Sequence, residues 1–107
     1  MAHILIVDDE RHTRNALQTI LGSGENIVET AASGVEALVT LAAQDIDIVL
    51  SDVKMPGIDG LTLLRQIKVQ HTGVVVVMMS AHNDVTAAVD AMKQVVSARL
   101  LLFNGRS

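Results

Sequence analysis

The chain has 107 residues, enough for one domain with a single hydrophobic core and too few for two. Half of the residues are hydrophobic, but Phe103 is the sole aromatic residue, so the core must be aliphatic side chains and methionine. The formal charge of −4 argues against direct binding to nucleic acid or to an anionic membrane, and the lack of cysteine excludes disulfides and thiolate sites. No apolar run could span a bilayer and no secretory leader is visible, so we expect a cytoplasmic protein.

Short apolar runs alternate with stretches of helical periodicity along the chain. The pattern predicts, in order, a strand at 4–7, a helix at 11–21 ended by Gly22, a strand near an edge at 26–31, a helix at 34–43, a strand at 47–51, a helix opening near Asp59 and Gly60, a buried strand at 74–79 and a helix at 84–94. This alternation predicts an α/β fold, a doubly wound parallel sheet with helices on both faces and right-handed crossovers.

The last residues fit two structures. The helical register of residues 84–94 continues through Val95, Val96, Arg99, Leu100 and Phe103, which favours a longer helix. The apolar run at 98–103 also has the length of a strand, which would be the fifth. Periodicity leaves both alternatives open, and no further helix can follow within the chain.

Carboxylates follow two of the predicted strands. Asp8 and Asp9 end the first apolar run, and Asp52 ends the run at 47–51. Open α/β sheets bind ligands at the carboxyl ends of their strands, where these side chains would converge. Like charges held so close require either a retained proton or a bound cation, and an all-oxygen set favours Mg²⁺. A carboxylate beside such a cation can act as a nucleophile towards a phosphoryl donor.

A hydroxyl follows the fourth predicted strand. Ser80 comes directly after Met79, so the same geometry brings it to the same end of the sheet. There it could donate a hydrogen bond to a phosphoryl oxygen. Asp59 is expected to cap the next helix rather than to take part in chemistry.

Three segments together resemble the receiver domain of two-component response regulators. They are residues 3–9 (HILIVDD), 51–60 (SDVKMPGIDG) and 79–81 (MSA), and the spacing between them also fits. The resemblance covers residues 1–94 of a single domain, 1–107, and is greatest to receivers of transcriptional activators. It implies a flavodoxin-like fold with strand order 2-1-3-4-5, if the fifth strand forms.

The resemblance also implies roles for individual residues. Asp52 would accept a phosphoryl group from the histidine of a sensor kinase, and Asp8, Asp9, Asp52 and the backbone carbonyl of Lys54 would hold Mg²⁺. The Lys54 side chain would modulate the site, and Ser80 would bind the phosphoryl group and relay its presence. Such a domain is a self-phosphorylating and autodephosphorylating switch rather than a conventional enzyme, and would control transcription through an attached DNA-binding output domain.

The tail at 95–107 departs from the family pattern. Family members carry a lysine at the end of a fifth strand and a glycine where Val95 stands, and their fifth helix packs beside helix one. Arg99 and Lys93 are the nearest cations in sequence, but neither holds the matching position. Two explanations stay open: a tail altered by a frameshift, a cloning junction or truncation, and a natural receiver that works without the lysine.

Two further expectations follow from this tail. Without a fifth helix, helix one and the sheet edge would expose apolar surface, which predicts self-association or exchange of the C-terminal segment. The missing lysine also supports an alternative function, a phosphorylation-independent pseudo-receiver that acts as a protein-interaction module.

Overall fold

The computed structural model describes residues 2–79 and 85–104, with side chains described as far as Arg99. Its elements are, in chain order, β1 His3–Val7, α1 Arg11–Leu21, β2 Ile27–Ala31, α2 Gly34–Ala43, β3 Ile48–Asp52, α3 Gly60–Gln70, β4 Val75–Met79 and α4 Val85–Asn104. The strand bounds differ from the predicted ones by no more than one residue at either end, so the predicted alternation of strands and helices is confirmed. None of these helices combines the length and hydropathy needed to cross a bilayer.

The four strands form one parallel sheet in the order β2-β1-β3-β4. This is the predicted order without a fifth strand, because the run at 98–103 lies inside α4. No glycine or proline occurs between Val85 and Asn104, so nothing in the local sequence ends the helix at residue 94. Of the two alternatives for the tail, the longer helix is the one that forms.

Two apolar layers sandwich the sheet. The residues of β1 between Ile4 and Val7 are fully buried, as a central strand covered on both faces requires. One layer joins the sheet to α1 and α4, and its helical members are Leu17, Leu21, Ala88, Val89 and Met92. The other joins it to α2 and α3 through Ala37, Leu41, Leu63 and Ile67. Each face of the sheet is therefore covered by one pair of helices.

The expectation that helix one would be left uncovered is wrong. Helix α4 packs against α1, the position that the family pattern gives to a fifth helix. Met92 is fully buried there, and half-buried Val95 and Val96 extend the contact beyond residue 94. The physical reason is the continued helical register of α4, which carries one apolar stripe far enough to cover α1.

Candidate functional site

Three carboxylates converge at the carboxyl ends of β1 and β3. Oxygen atoms of Asp8, Asp9 and Asp52 lie within 4.8 Å of one another. Asp8 is 0% exposed and Asp52 2% exposed, whereas Asp9 is open to solvent. The predicted acidic site is thus present as a cluster with two buried members and one at its mouth.

The parallel sheet brings these residues together. Strands β1 and β3 are direct neighbours, and Val7 is level with Ser51, so the residues that follow them, Asp8 and Asp52, lie side by side at the carboxyl ends of the two strands. The Asp8 N–H still donates to the Ala31 carbonyl of β2 at 3.1 Å, which holds the end of β1 in the ladder. The backbone therefore fixes the separation of the two buried carboxylates.

Arg14 braces the turn after β1, a role that the sequence did not reveal. Its Nη1 donates to the Asp8 carbonyl oxygen at 2.9 Å, and the Glu10 N–H donates to Asp8 Oδ1 at 2.8 Å. Both bonds orient the segment that carries Asp8 and Asp9. The sequence shows only that Arg14 is a basic residue near the start of α1. Other residues there could also have reached the end of β1, so the sequence does not single out Arg14.

The turn after β3 is built around Asp52. The Lys54 N–H donates to Asp52 Oδ1 at 3.2 Å, so Lys54 lies directly beside the predicted acceptor while its side chain is exposed. Gly57 then adopts a positive φ of 76°, a conformation that favours glycine. The Gly60 N–H donates to the Val53 carbonyl at 2.9 Å and closes the loop onto the start of α3.

Gly60 allows α3 to approach the end of β3, at Asp52, closely. A Cβ atom at this position would lie 2.1 Å from the Asp52 carbonyl oxygen and 2.7 Å from the terminal methyl of Met78. Gly34 makes a similar approach, since a Cβ there would lie 2.8 Å from Cβ of Ile58 in the same loop. The loop after Asp52 is therefore held between the N-termini of α2 and α3.

Asp59 caps α3, as predicted. Its Oδ1 accepts the Thr62 N–H at 2.8 Å, and this hydrogen bond lowers the pKa of the Asp59 carboxyl below its ordinary value of 3.8. Asp59, Lys54, Met55 and Leu61 also line a surface cleft of about 530 Å³ beside the acceptor turn, together with Val53 and Pro56. The cleft therefore opens beside Asp52, next to Val53.

The donor set fits a hard divalent cation. Carboxylate oxygens at this separation, two of them on buried residues, match the preference of Mg²⁺ for a few carboxylates with its other positions open to water and phosphate. Such a cation, when bound, would offset the charge of the carboxylates and of an incoming phosphoryl group. The oxygen chemistry and the solvent-open side at Asp9 both agree with that ion.

Arg99 and Lys93, the cations nearest in sequence to the missing lysine, make no hydrogen bond or ion pair with the acidic cluster among the described residues. Arg99 donates from Nη2 to Asp47 Oδ1 at 2.8 Å, at the amino end of β3, and Lys93 is exposed on α4. Within the described part of the chain, two basic residues hydrogen-bond to members of the acidic cluster: Lys54 through its backbone N–H, and Arg14 through its side chain. Ser80, the remaining predicted site residue, lies outside the described residues.

Comparisons with known proteins agree with this geometry. The response regulator receiver domain family matches residues 4–101. The DNA-binding transcriptional regulator NtrC of Escherichia coli K12 is 42% identical over 91 residues, which are 85% of this chain and 19% of that protein. A receiver domain from Clostridium thermocellum superposes with a TM-score of 0.71 at 34% identity, covering 88% of this chain and 76% of that one. Response regulator TrrA of Thermotoga maritima, solved with Mg²⁺ and BeF, gives 0.77 at 27% identity, covering 92% and 98%.

The chain belongs to the response regulator receiver domain family. It has the parallel sheet of these two-component signalling domains, and its relatives include receivers of transcriptional activators. A fifth strand is not required for this membership, since the family matches residues 4–101 of a chain whose described sheet has four strands. The chain spans about a fifth of the length of the NtrC proteins it matches.

Proposed function

We propose that Asp52 accepts a phosphoryl group from the phosphohistidine of a sensor kinase. Asp8, Asp9, Asp52 and the backbone carbonyl of Lys54 hold Mg²⁺ during the transfer. The observation that supports this most strongly is the cluster of three carboxylates within 4.8 Å at the ends of β1 and β3. Two buried carboxylates beside a third repel one another, which is unfavourable unless a bound cation offsets their charge.

The transfer is a nucleophilic displacement at phosphorus. A carboxylate oxygen of Asp52 forms the new P–O bond while the bond from phosphorus to the donor imidazole nitrogen breaks, and that nitrogen keeps the electron pair and takes up a proton. The Lys54 N–H, donating to Asp52 Oδ1, orients the carboxylate. Later attack of water on phosphorus breaks the P–O bond and restores the Asp52 carboxylate.

Two further residues act on the phosphorylated form in this proposal. The Lys54 side chain, which is exposed in the turn after Asp52, modulates the access of water. Ser80, which follows Met79 at the end of β4, donates to a phosphoryl oxygen and relays the change to the surface. Its role stays a prediction from sequence.

The partners follow from the relatives rather than from this chain alone. We propose a sensor histidine kinase as the donor and an output domain in a longer protein, since NtrC is named as a DNA-binding transcriptional regulator. The receiver itself has no part in DNA or membrane contact, and its net charge of −4 is consistent with that. The cytoplasmic location and the division into residues 1–94 and a divergent tail stay predictions.

Intact mass spectrometry after incubation with Mg²⁺ and a small phosphodonor tests the proposal. The wild-type chain is expected to gain one acid-labile phosphoryl group, and chelation of the metal should prevent the gain. Asp52→Asn should remain unmodified, while Asp45→Asn, an exposed carboxylate outside the acidic cluster, should behave as wild type. An unmodified wild-type protein with intact secondary structure by circular dichroism would exclude active phosphotransfer.

The helical tail supports a second candidate, the pseudo-receiver. Residues 95–104 lie in α4, so this part of the chain does not form the strand that carries the family lysine. A pseudo-receiver would still bind Mg²⁺ but would signal through protein contacts alone. Addition of Mg²⁺ with beryllofluoride, which mimics the phosphoryl group, distinguishes the two. In a phosphorylation switch, the NMR signals of backbone amides far from the acidic cluster shift. In a pseudo-receiver, these signals stay unchanged.

A further inference from the structure

The two edge strands of the sheet differ in their protection. Strands β2 and β4 have the same length and the same burial pattern, in which the first residue is exposed and the last is buried. On β2, Glu29 pairs with His3 at 3.0 Å and Gln18 Nε2 donates to the Val28 carbonyl at 3.3 Å. Charged side chains and capped carbonyls of this kind discourage strands from pairing with other molecules.

Within the described strand Val75–Met79, β4 carries none of these features; the nearest one is Lys68, whose Nζ donates to the carbonyl of Val74, the residue before the strand, at 3.1 Å. The sequence of β4 is VVVMM, without charge, glycine or proline, and it hydrogen-bonds to β3 alone. Val75 is 39% exposed, and Val76, Val77 and Met78 are half-buried. Helix α4 packs against α1 on one face of the sheet, so its described contacts do not extend the sheet beyond β4.

The backbone of β4 presents an ordered set of donors and acceptors outward. The Val75 N–H donates to the Asp47 carbonyl at 3.1 Å, so Val75, Val77 and Met79 direct their backbone groups towards β3. Successive residues of a strand alternate in this respect. The N–H and C=O groups of Val76 and Met78 therefore point away from β3. The same reasoning applies to β2, where the Ile27 N–H donates to the Ala2 carbonyl. The backbone N–H and C=O groups of Val28 and Thr30 therefore point away from β1.

We propose that β4 pairs with β4 of a second copy of this chain, forming an antiparallel, two-fold symmetric dimer. With the axis beside Val77, Val76 lies opposite Met78 of the partner and Val77 lies opposite its own equivalent. Val76 and Met78 then exchange both N–H···O=C bonds, which is the hydrogen-bonded pair of an antiparallel ladder. The two four-stranded sheets join into one continuous sheet.

The sequence of β4 favours a second copy over an unrelated strand. Every cross-strand pair in this register is apolar, so no charge is left without a partner and none repels its equivalent. The two-fold arrangement is closed with respect to β4, because both copies use this same edge and no β4 edge remains for further addition. The inference is independent of phosphotransfer, since it involves no residue of the acidic cluster.

Amide hydrogen exchange of the wild-type chain, measured by NMR across a range of concentrations, tests the pairing without any substitution. The Val76 and Met78 amides should become protected as concentration rises to the millimolar range. The Val28 and Thr30 amides on β2 should show no such dependence and serve as the internal reference. Concentration-independent exchange at Val76 and Met78 would overturn the proposal.

A matched pair of proline variants tests it by sedimentation equilibrium. Val76→Pro removes an outward N–H of β4 without removing a bond to β3, and Val28→Pro does the same at the second residue of β2. Val76→Pro should shift the dimer dissociation constant upward by at least tenfold, and Val28→Pro should leave it unchanged. Melting curves identify any variant that fails to fold, in which case the exchange measurement decides. A monomeric wild type, or equal effects of the two variants, would overturn the proposal.

Discussion

Arg99 donates a hydrogen bond from Nη2 to Asp47 Oδ1 at 2.8 Å, and so anchors α4 at the amino end of β3. The other oxygen of Asp47, Oδ2, accepts the His3 N–H at 2.9 Å, which ties the start of β1 to the same carboxylate. Asp52 lies five residues further along, about 16 Å away at a rise of about 3.3 Å per residue. Arg99 therefore secures the helix and does not offset the charge of the acceptor.

Replacing Arg99 should weaken the attachment of α4. Because both side chains of the pair are about one-third exposed, we expect Arg99→Met to lower the free energy of unfolding by only about 0.5–1 kcal/mol. Lys93→Met, an exposed position of the same helix, is the control and should have no measurable effect. Urea unfolding of both variants measures this, and an Arg99→Met variant as stable as wild type would show that the ion pair contributes nothing.

Met92 should be essential to the packing of α4 on α1. Its side chain is fully buried in the layer that also contains Leu17 and Leu21, so Met92→Ala leaves a cavity and should cost about 2–5 kcal/mol. Gln94→Ala, exposed on the same helix, should change stability little. If denaturant unfolding finds the two variants equivalent, α4 does not occupy the position beside α1.

Gly60→Ala should disturb both the fold and the acceptor turn. The added methyl would lie 2.1 Å from the Asp52 carbonyl oxygen, so the start of α3 must move, at a cost of about 1–3 kcal/mol or more. Gly73→Ala is the matched control, because a Cβ at Gly73 meets no atom within 4 Å. Thermal unfolding compares the two, and an equally small effect of both would mean that α3 does not approach Asp52 this closely.

The cap at Asp59 should make stability depend on pH. Its pKa is lowered in the folded state by the hydrogen bond from the Thr62 N–H, so its stabilisation is present above the ordinary value of 3.8 and is lost as the pH falls through the lower folded value. Wild type should therefore melt at a higher temperature than Asp59→Ala at neutral pH. The difference should shrink on acidification below 3.8, and Asp59→Ser, a cap that does not titrate, should keep its advantage over alanine. A difference independent of pH would contradict the assignment.

Magnesium should stabilise the wild-type chain through the acidic cluster. At a concentration about tenfold above its dissociation constant, a ligand bound only by the folded state adds about 1.4 kcal/mol. Asp52→Asn should lose most of this gain and should be more stable than wild type in metal-free buffer, because one of three clustered charges is removed. Thermal melts with and without Mg²⁺ test both statements. If Mg²⁺ stabilises the two proteins equally, the metal does not bind at Asp52.

The convergence of Asp8, Asp9 and Asp52 could be predicted because it depends only on backbone order. Parallel strands place their carboxyl ends at one edge of the sheet, and the ends of the apolar runs predict where each strand ends. Arg14 and Asp47 could not be predicted in the same way. Their roles depend on how far a side chain reaches in three dimensions, and neither position differs in sequence from an ordinary exposed charge.

The tail shows a different limit of sequence reasoning. The run at 98–103 fits a strand by length and a helix by register, and local propensity does not decide between them. In the structure α4 continues through this run, and Met92, Val95 and Val96 just before it pack in the layer that also contains residues of α1. The contact between α4 and α1 joins residues far apart in the chain, so no local sequence pattern predicts it.

The central claim, that Asp52 is the phosphoacceptor, is tested most directly by locating the phosphoryl group in the chain. Borohydride reduces an aspartyl phosphate to homoserine, and peptide mass spectrometry of the phosphorylated, reduced protein then identifies the converted position. Conversion at residue 52, dependent on Mg²⁺ and absent without phosphodonor, is the predicted result. Conversion at Asp8 or Asp9, or none at any aspartate of a folded protein, would contradict the assignment.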